Sequence, residues 1–184
     1  MRKLVMSFAA VAALLLMASC GGNKGGNANA EAEAEKEAAP EVAYEQFTVE
    51  KYNVSIDYVK GMRRTDDPVM DNGAIWTLVP EDGDDWPIFA SLSIGVYEAY
   101  EGEYTDEKIQ KAFDEDIPAE AEKKLDLEKK EYTYGIPSET VSEYHRVFFK
   151  GNLEVNVTVS YSPKWEPQLG GEVRDHIMNS AKFN

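Results

Sequence analysis

The densest group of residues that could do chemistry is an acidic stretch at positions 81–87. Calcium is bound by several carboxylate and carbonyl oxygens that a sharp turn brings together, and Gly83 would allow such a turn. The stretch lacks the alternating Asp spacing and the closing Glu of an EF-hand loop, so a solvated turn between two strands is the alternative. The residues that we predict to bind Ca²⁺ or a small ligand are Asp82, Asp84, Asp85 and Trp86.

Aromatic residues among further acids offer a second kind of site. Tyr97, Tyr100 and Tyr104 follow one another closely between glutamates. Aromatic faces beside carboxylates bind sugars or cationic groups. The same residues also fit an ordinary rim around a sheet, and that alternative stays open.

The sequence predicts no catalytic residue, no resident metal and no cofactor. Neither His145 nor His176 has a second metal-binding residue four positions on, and no H-E-x-x-H or nucleophile-elbow motif occurs. We therefore expect both histidines to lie in the core or at its rim. A glycosidase needs two carboxylates at a defined separation, and among so many acids a chance pair is uninformative, so a hydrolase stays only an alternative.

The single cysteine, Cys20, lies in a context that predicts processing rather than catalysis. A basic start at Arg2 and Lys3 precedes residues 4–17, a run of 14 with one polar member. This run is shorter than the roughly 20 apolar residues of a membrane-spanning helix and has signal-peptide proportions. With the small residues before Cys20, it resembles a bacterial lipoprotein signal, although Met17 stands where that family usually has leucine or another aliphatic residue.

This resemblance implies that residues 1–19 are a signal peptide and that Cys20 becomes the acylated N-terminus, carrying chains such as palmitate. Two or more acyl chains hold a protein stably on a membrane. Residues 20–45 are rich in Gly, Ala and Glu, which predicts a flexible acidic tether. Residues 46–184 are then predicted to form one globular domain.

The charge of the chain narrows the classes of partner. It has 34 acidic and 19 basic residues, a formal net charge of −15. Residues 46–184 hold 28 of those acids and 15 of those bases, a net charge of −13. An anionic surface repels the phosphate backbone, so we expect no nucleic-acid partner.

The elements that must position these residues follow from the hydrophobic pattern. Thr105 is predicted to cap a helix that Pro118 ends, and acid–base pairs four residues apart predict a second helix over 119–130. A closing helix is predicted to begin at Glu166 or Leu169. Alternation predicts strands over 52–59, 74–79, 88–98, 131–135, 139–149 and 153–161.

The cleanest of these strands, such as 153–161, have apolar residues on one face and small or polar residues on the other. A parallel sheet buried on both faces would show continuous apolar runs instead. We therefore expect an α+β fold with an antiparallel sheet. The closing helix should cover its dry face, and its polar face should be solvated or loosely covered by 105–130.

The order of these elements resembles the PsbP/Mog1-like α/β/α sandwich. The residues that carry the resemblance are the strand end 157–161, the turn 163–165, and a helix end with Ile177, Ser180 and Phe183. The resemblance implies an antiparallel sheet flanked by helices. It also implies a binding or scaffolding role, since that family has no shared catalytic centre.

Together these features predict a non-enzymatic lipoprotein of the bacterial cell envelope, whose membrane contact is the acylated Cys20. Its domain is expected to bind an envelope protein or a small ligand over the polar sheet face. The residue after Cys20 is not Asp, which indicates the outer membrane, with the domain facing the periplasm. A Ca²⁺-binding or sugar-binding protein that uses the acidic stretch, and an unrecognised hydrolase, are the alternatives.

Overall fold

The structure is a computed structural model that describes residues 42–66, 68–78 and 90–184. No helix within these ranges is long and apolar enough to cross a membrane. In chain order the elements are β1 (Tyr44–Val49), β2 (Val54–Val59), β3 (Arg63–Arg64), β4 (Gly73–Thr77), β5 (Ala90–Glu98), α1 (Asp106–Glu115), β6 (Glu122–Asp126), β7 (Glu131–Ile136), β8 (Ser142–Lys150), β9 (Leu153–Tyr161), α2 (Glu166–Leu169), α3 (Gly171–Ser180) and β10 (Lys182–Phe183).

These strands form two sheets. The smaller has the order β1-β2-β10, and the larger has the order β3-β4-β5-β9-β8-β7-β6. Each pair of neighbouring strands is antiparallel. The predicted α+β class with an antiparallel sheet is therefore confirmed.

The main core lies between the two sheets and follows from the alternation along β5 and β9. Leu92 lies opposite Val159 and Ile94 lies opposite Val157, and all four side chains are buried. The helix α3 packs on β2 and β9 with Ile177 fully buried. Burial of one large aliphatic side chain contributes about 1.5–3 kcal/mol, so this pattern fixes which face of each strand points inward.

The opposite face of the seven-stranded sheet is covered by α1 at one end. Thr105 caps this helix, as the sequence predicts, and its Oγ1 accepts a hydrogen bond from the Lys108 N–H at 3.3 Å. The buried cluster under α1 draws its strand residues from β7 and β8, and none of its described members belongs to β4, β5 or β9. The members of this cluster that are fully or nearly buried are Ile109, Ile117, Ala121, Tyr132, Val147 and Phe149.

The prediction of a second helix over 119–130 is wrong. This segment contains β6 and a turn into β7, in register from Glu122 opposite Gly135 to Asp126 opposite Glu131. Acid–base pairs four residues apart suit an exposed helix, but charged side chains also suit a strand at the edge of a sheet. Pairing with β7 decides between the two, and local spacing does not reveal that pairing.

Some boundaries also differ from the predicted ones. The strand β1 was not predicted, and it begins before residue 46, where the sequence places the start of the domain. The closing helix is divided in two, because α3 starts at Gly171 with φ of +51°, a conformation that glycine adopts without steric cost. Phe183 lies in β10, paired with β2, and not at a helix end.

An ion pair between Arg64 and Asp66 holds the chain just after β3. The Asp66 side chain is 1% exposed, and its carboxylate accepts hydrogen bonds from Arg64 Nε at 2.6 Å, from Arg64 Nη2 at 2.7 Å and from the Met70 N–H at 3.0 Å. The Arg64 guanidinium lies 4.9 Å from the centre of the Phe47 ring. The hydrogen bonds from Arg64, more than the one from Met70, hold the pKa of Asp66 well below its usual range.

Asp66→Asn is therefore expected to lower the free energy of unfolding at neutral pH by about 1–3 kcal/mol. Because the folded-state pKa is depressed, the stabilisation is complete above the unfolded pKa of about 3.9 and is lost as the pH falls towards the folded value. Urea unfolding at neutral pH and at about pH 3 measures this, and the gap between wild type and variant should shrink in acid. Asp71→Asn, at a nearby exposed carboxylate, should change little at either pH. A gap that is as large in acid as at neutral pH would contradict the assignment.

Candidate functional site

The candidate site lies on the polar face of the seven-stranded sheet, beyond the end that α1 covers. On this face the register pairs Ser93 of β5 with Thr158 of β9, and Gly95 with Asn156. All four side chains are small or polar, as the alternation predicts. Since no described residue of the cluster under α1 belongs to β4, β5 or β9, that part of the face can border a cavity.

The sheet forms the floor of a cavity of about 310 Å³, which we call the polar-face cavity. This volume lies at the lower end of the range for small-molecule sites, about 300–1,000 Å³. Tyr97, with a side chain that is half exposed, and Met70 stand at its rim. The residues that line the cavity are Met70, Asn72, Gly73, Ile75, Ser93, Ile94, Gly95, Tyr97, Tyr134, His145, Asn156 and Thr158.

The lining of the polar-face cavity carries no formal charge. Charged residues make up 29% of the chain, yet none of the lining residues given above is Asp, Glu, Lys or Arg. Burial lowers the pKa of His145 more than the neighbouring Glu143 carboxylate raises it, so the imidazole is neutral at neutral pH. Burial also raises the pKa of Tyr134. The cavity therefore presents neutral groups to a ligand.

Two glycines shape the cavity floor. Gly95 and Gly73 lie opposite each other on β5 and β4. A Cβ at Gly95 would lie 2.6 Å from Tyr97 Oη and 2.9 Å from two ring carbons, so the Tyr97 ring occupies the space over Gly95. A Cβ at Gly73 would instead clash with the backbone carbonyl of Ile94. The absence of a side chain at Gly95 thus leaves room for the Tyr97 ring over the sheet, and its absence at Gly73 lets β4 and β5 approach closely.

Gly95→Ala is expected to displace the Tyr97 ring while the backbone stays in place, because the obstructing atoms belong to the movable end of a side chain. The free energy of unfolding should change by less than about 1 kcal/mol, and the NMR shifts of the Tyr97 ring protons measure the displacement. Gly73→Ala is the contrasting variant. Its obstacle is backbone, so we expect a loss of about 1–3 kcal/mol. Equal stability losses in the two variants would show that this distinction is mistaken.

His145 lies in the cavity wall and contacts three groups. Its ring stacks on Tyr134, with ring centres 4.2 Å apart and planes at 8°. Its Nδ1 lies 3.0 Å from Oγ1 of Thr158, and its Nε2 lies 3.5 Å from Oε2 of Glu143. A hydroxyl, an imidazole and a carboxylate in this order are also the components of a hydrolase triad.

Beside Thr158, the described part of the chain offers no free backbone N–H group for an oxyanion hole. Acyl transfer needs hydrogen-bond donors for the oxyanion, and these are often free backbone N–H groups. β8 and β9 are interior strands, so the backbone N–H groups beside Thr158 and His145 are used by the sheet. Within the described ranges, we therefore interpret the contacts of His145 with Thr158 and Glu143 as structural: they hold the imidazole ring against Tyr134.

Asn156 contributes a buried polar atom that has no partner. Its Oδ1 is inaccessible to solvent and accepts no hydrogen bond from any group of the described chain. A buried acceptor without a donor costs about 1–3 kcal/mol. Rotation of the Asn156 amide would turn this oxygen towards the cavity, where a ligand that donates a hydrogen bond would remove that cost.

Several predicted site residues lie outside the described ranges, and the predictions for them stand as predictions. The acidic pair Asp66 and Asp67 is only half described, because Asp67 lies outside these ranges as well. The Asp66 carboxylate accepts hydrogen bonds from the Arg64 guanidinium on both oxygens and is therefore not free to bind a cation. The predicted binding and lipidation residues outside these ranges are Asp82, Asp84, Asp85, Trp86 and Cys20.

The three tyrosines grouped by the sequence have different positions. Tyr97 lines the polar-face cavity, while Tyr100 is fully exposed in the loop that follows β5. Tyr104 packs on Phe149 with ring centres 4.6 Å apart and donates a hydrogen bond to Glu154 at 2.9 Å. Burial and this hydrogen bond raise the pKa of Tyr104 to about 12. The tyrosines therefore do not form one binding platform.

His176 joins α3 to the small sheet. Its ring packs against Tyr44 with ring centres 4.0 Å apart and planes tilted by 32°, and its Nε2 lies 3.1 Å from Oδ2 of Asp57. This is the position expected of a histidine at the rim of the core. In the described part of the chain, no group of three or more His, Cys, Asp and Glu side chains is placed to hold a metal ion.

Sequence reasoning missed His145, Asn156 and Thr158 as members of one site. The alternation along 153–161 places Asn156 and Thr158 on the polar face, and this was the available signal. Their meeting with His145 and Ser93 depends on the register of β9 against β8 and β5. That register is a non-local property of the sheet.

Comparison with known proteins adds two similar structures. No protein-family model matches the chain, and the curated proteins give no match. The chain is similar to the cyanobacterial PsbP protein (CyanoP) from Synechocystis sp. PCC 6803, with 13% identity over 77% of this chain and 93% of that chain and a TM-score of 0.48. It is also similar to the Saccharomyces cerevisiae Ran-binding protein Mog1p, with 10% identity over 78% of this chain and 96% of that chain and a TM-score of 0.49. Sequence identities and TM-scores this low support no inference about the ligand, activity or partner of this chain.

Proposed function

We propose that this protein is a non-enzymatic binding module of the bacterial cell envelope, held on its membrane by acyl chains on Cys20. Its binding site is the polar-face cavity, which takes up a small polar molecule. The observation that carries the proposal is the polar-face cavity itself, about 310 Å³ in volume, with no charged residue in its lining and with the polar side chains of Ser93, Asn156 and Thr158 on its floor. The anchor rests on the signal-like pattern before Cys20.

The position of the cavity supports binding rather than a structural role alone. Its floor is made by three adjacent strands, β4, β5 and β9, so the groups that face a ligand are held by a rigid scaffold. The Asp66 carboxylate also fixes the Met70 backbone at the rim. A preformed site with few convergent polar groups is the usual form of a small-molecule site.

The binding role is tested by filling the cavity. Ser93→Leu adds an apolar side chain to the cavity floor, whereas Ser91→Leu places the same side chain on the same face of β5, two residues away and outside the lining. We expect native mass spectrometry of the full chain, extracted in mild detergent from the cells that make it, to show a bound molecule. The molecule should persist in Ser91→Leu and be lost in Ser93→Leu. Equal retention by the two variants would place binding elsewhere, and a wild-type chain without any bound molecule would contradict the proposal.

The anchor is tested separately at Cys20. Cys20→Ser removes the thiol that would be acylated, so the variant should leave the membrane fraction and lose labelling by a palmitate analogue. Cell fractionation measures the first effect, and in-gel detection of the label measures the second. A Cys20→Ser chain that stays in the membrane fraction would contradict anchoring through this residue without affecting the proposal for the cavity.

A further inference from the structure

We infer that the ligand of the polar-face cavity is a neutral, hydroxyl-bearing molecule of the sugar class. This inference rests on the proposed binding role of the cavity and adds the chemistry of its occupant. It follows from three properties of the lining: its lack of charge, its polar groups and the exposed aromatic ring at its rim.

The lack of charge excludes ions as the preferred ligands. An anion would meet no Lys or Arg side chain among the lining residues, and a cation would meet no carboxylate. Moving an unpaired charge from water into such a site is costly. Three charged side chains of the described residues contact lining residues without lining the cavity themselves. Asp66 accepts a hydrogen bond from the Met70 N–H and is paired with Arg64, and Glu143 is turned to Nε2 of His145. The fitting ligand is therefore neutral.

The polar groups of the floor are suited to hydroxyls. Ser93 and Thr158 have hydroxyl groups, and Asn156 and Asn72 have amides, so each can donate and accept hydrogen bonds. Sugar hydroxyls have the same double capacity. The Oδ1 of Asn156 lacks a donor within the described chain, and rotation of the amide would present it to a sugar hydroxyl.

The aromatic rim of the cavity suits the apolar face of a sugar ring. Tyr97 is 50% exposed although it lies over the floor at Gly95, and Met70 and Ile75 add apolar surface to the same cavity. A pyranose ring has one face of C–H groups and an edge of hydroxyls. It can therefore cover the Tyr97 ring with its apolar face while its hydroxyls reach Asn156 and Thr158.

A peptide is the competing neutral ligand, and the topology disfavours it. Extended peptides usually bind by adding a strand to an open sheet edge. β5 and β9 at the cavity floor are interior strands of the seven-stranded sheet, so their backbone groups are already paired. Recognition here has to use side chains, and these are hydroxyls, amides and aromatic rings.

The test is a titration of the full chain with defined probes. The neutral probes are glucose, galactose, N-acetylglucosamine and maltose, and the charged analogues are glucosamine and glucuronate. Isothermal titration calorimetry and ligand-induced shifts of the Tm provide independent readouts. We expect saturable binding of at least one neutral sugar, and binding of its charged analogue that is weaker by at least about tenfold.

Two variants link this binding to the cavity. Asn156→Leu removes the unpartnered acceptor and should weaken sugar binding by about tenfold to a hundredfold, whereas Ser91→Leu should leave it unchanged. NMR shifts of the Tyr97 ring protons on sugar addition provide a check that a misfolded variant cannot imitate. Full affinity in Asn156→Leu would show that any sugar binds elsewhere.

The outcomes separate this inference from the proposed function. If no neutral sugar binds at millimolar concentrations, or if a charged analogue binds equally well, the sugar class is wrong. If in addition the molecule lost in Ser93→Leu is identified as a peptide or an ion, the binding role of the cavity stands and only the ligand class is overturned. If neither sugars nor a co-purified molecule bind, both proposals fail.

Discussion

Arg146→Ala is expected to lower the free energy of unfolding by about 3–5 kcal/mol, a large part of the total stability of about 5–15 kcal/mol that is typical of a single domain. The Arg146 side chain is 15% exposed, and its partner Glu131 is 18% exposed. The Glu131 Oε2 accepts hydrogen bonds from Arg146 Nε at 3.0 Å and from Nη2 at 2.6 Å. Alanine at this position would leave a largely buried carboxylate without its counter-charge.

The same guanidinium also ties α3 to the seven-stranded sheet. Its Nη1 donates hydrogen bonds to the carbonyl oxygens of Met178 at 2.7 Å and Ala181 at 3.0 Å. The last carbonyl groups of a helix have no partner within the helix, so Arg146 satisfies acceptors that α3 cannot satisfy. The guanidinium further lies 4.6 Å from the centre of the Phe148 ring. Its loss would remove contacts to two different elements at once.

Urea unfolding measures the effect, and Arg174→Ala is the matched control. Arg174 also forms an ion pair, with Asp175, and lies over the Tyr144 ring. Asp175 is 60% exposed, and exposed pairs contribute about 0–1 kcal/mol. Combining Arg146→Ala with Glu131→Ala should recover part of the loss, since no uncompensated carboxylate remains. If Arg146→Ala cost no more than Arg174→Ala, the link between α3 and the sheet would not depend on this residue.

Trp76→Ala is expected to cost about 3–5 kcal/mol of unfolding free energy. Trp76 belongs to β4 of the large sheet and is 2% exposed. Its ring stacks on Tyr58 of β2, with centres 5.0 Å apart and planes at 17°, and it meets the edge of Phe47 of β1 at 5.2 Å. One indole ring thus contacts two strands of the small sheet, and its loss would open a cavity between the sheets.

Trp76→Phe is the control, because a six-membered ring keeps part of the packing and should cost clearly less than the alanine variant. Free energies from urea unfolding and the near-ultraviolet circular dichroism of the aromatic cluster should change together. A loss below about 1 kcal/mol in Trp76→Ala would mean that the surroundings close over the gap, or that other contacts hold the two sheets together.

Local patterns predicted those parts of the fold that depend on neighbours along the chain. Alternation identifies β2, β5 and β9, and the Thr105 cap identifies α1. β6 was missed because its charges at four-residue spacing suit a helix equally well, and only its pairing with β7 makes it a strand. β1 was missed because its first residues continue a stretch rich in alanine and glutamate, which is typical of a tether.

In the candidate site, too, the features set by local sequence could be predicted and those set by strand pairing could not. The polar face could be predicted, since Asn156 and Thr158 alternate with buried valines on β9. It could not be predicted that Tyr97, of the three nearby tyrosines, is the one that lines the cavity. The alternation ends with β5 at Glu98, and Tyr100 and Tyr104 follow it in a loop. The opposition of Gly73 and Gly95 depends on how β4 pairs with β5. Pairing of this kind is set by the whole sheet.

The edge strand β6 has a consequence for self-association. In the described chain it is the last strand of the seven-stranded sheet, and the open edge of a sheet can pair with the same edge of another copy. Its first three residues, Glu122, Lys123 and Lys124, are all exposed, and charged side chains on an edge strand, lysine above all, disfavour the addition of another strand. The charged residues that make β6 resemble a helix in sequence would therefore oppose fibre-like growth of the sheet where many copies are crowded together.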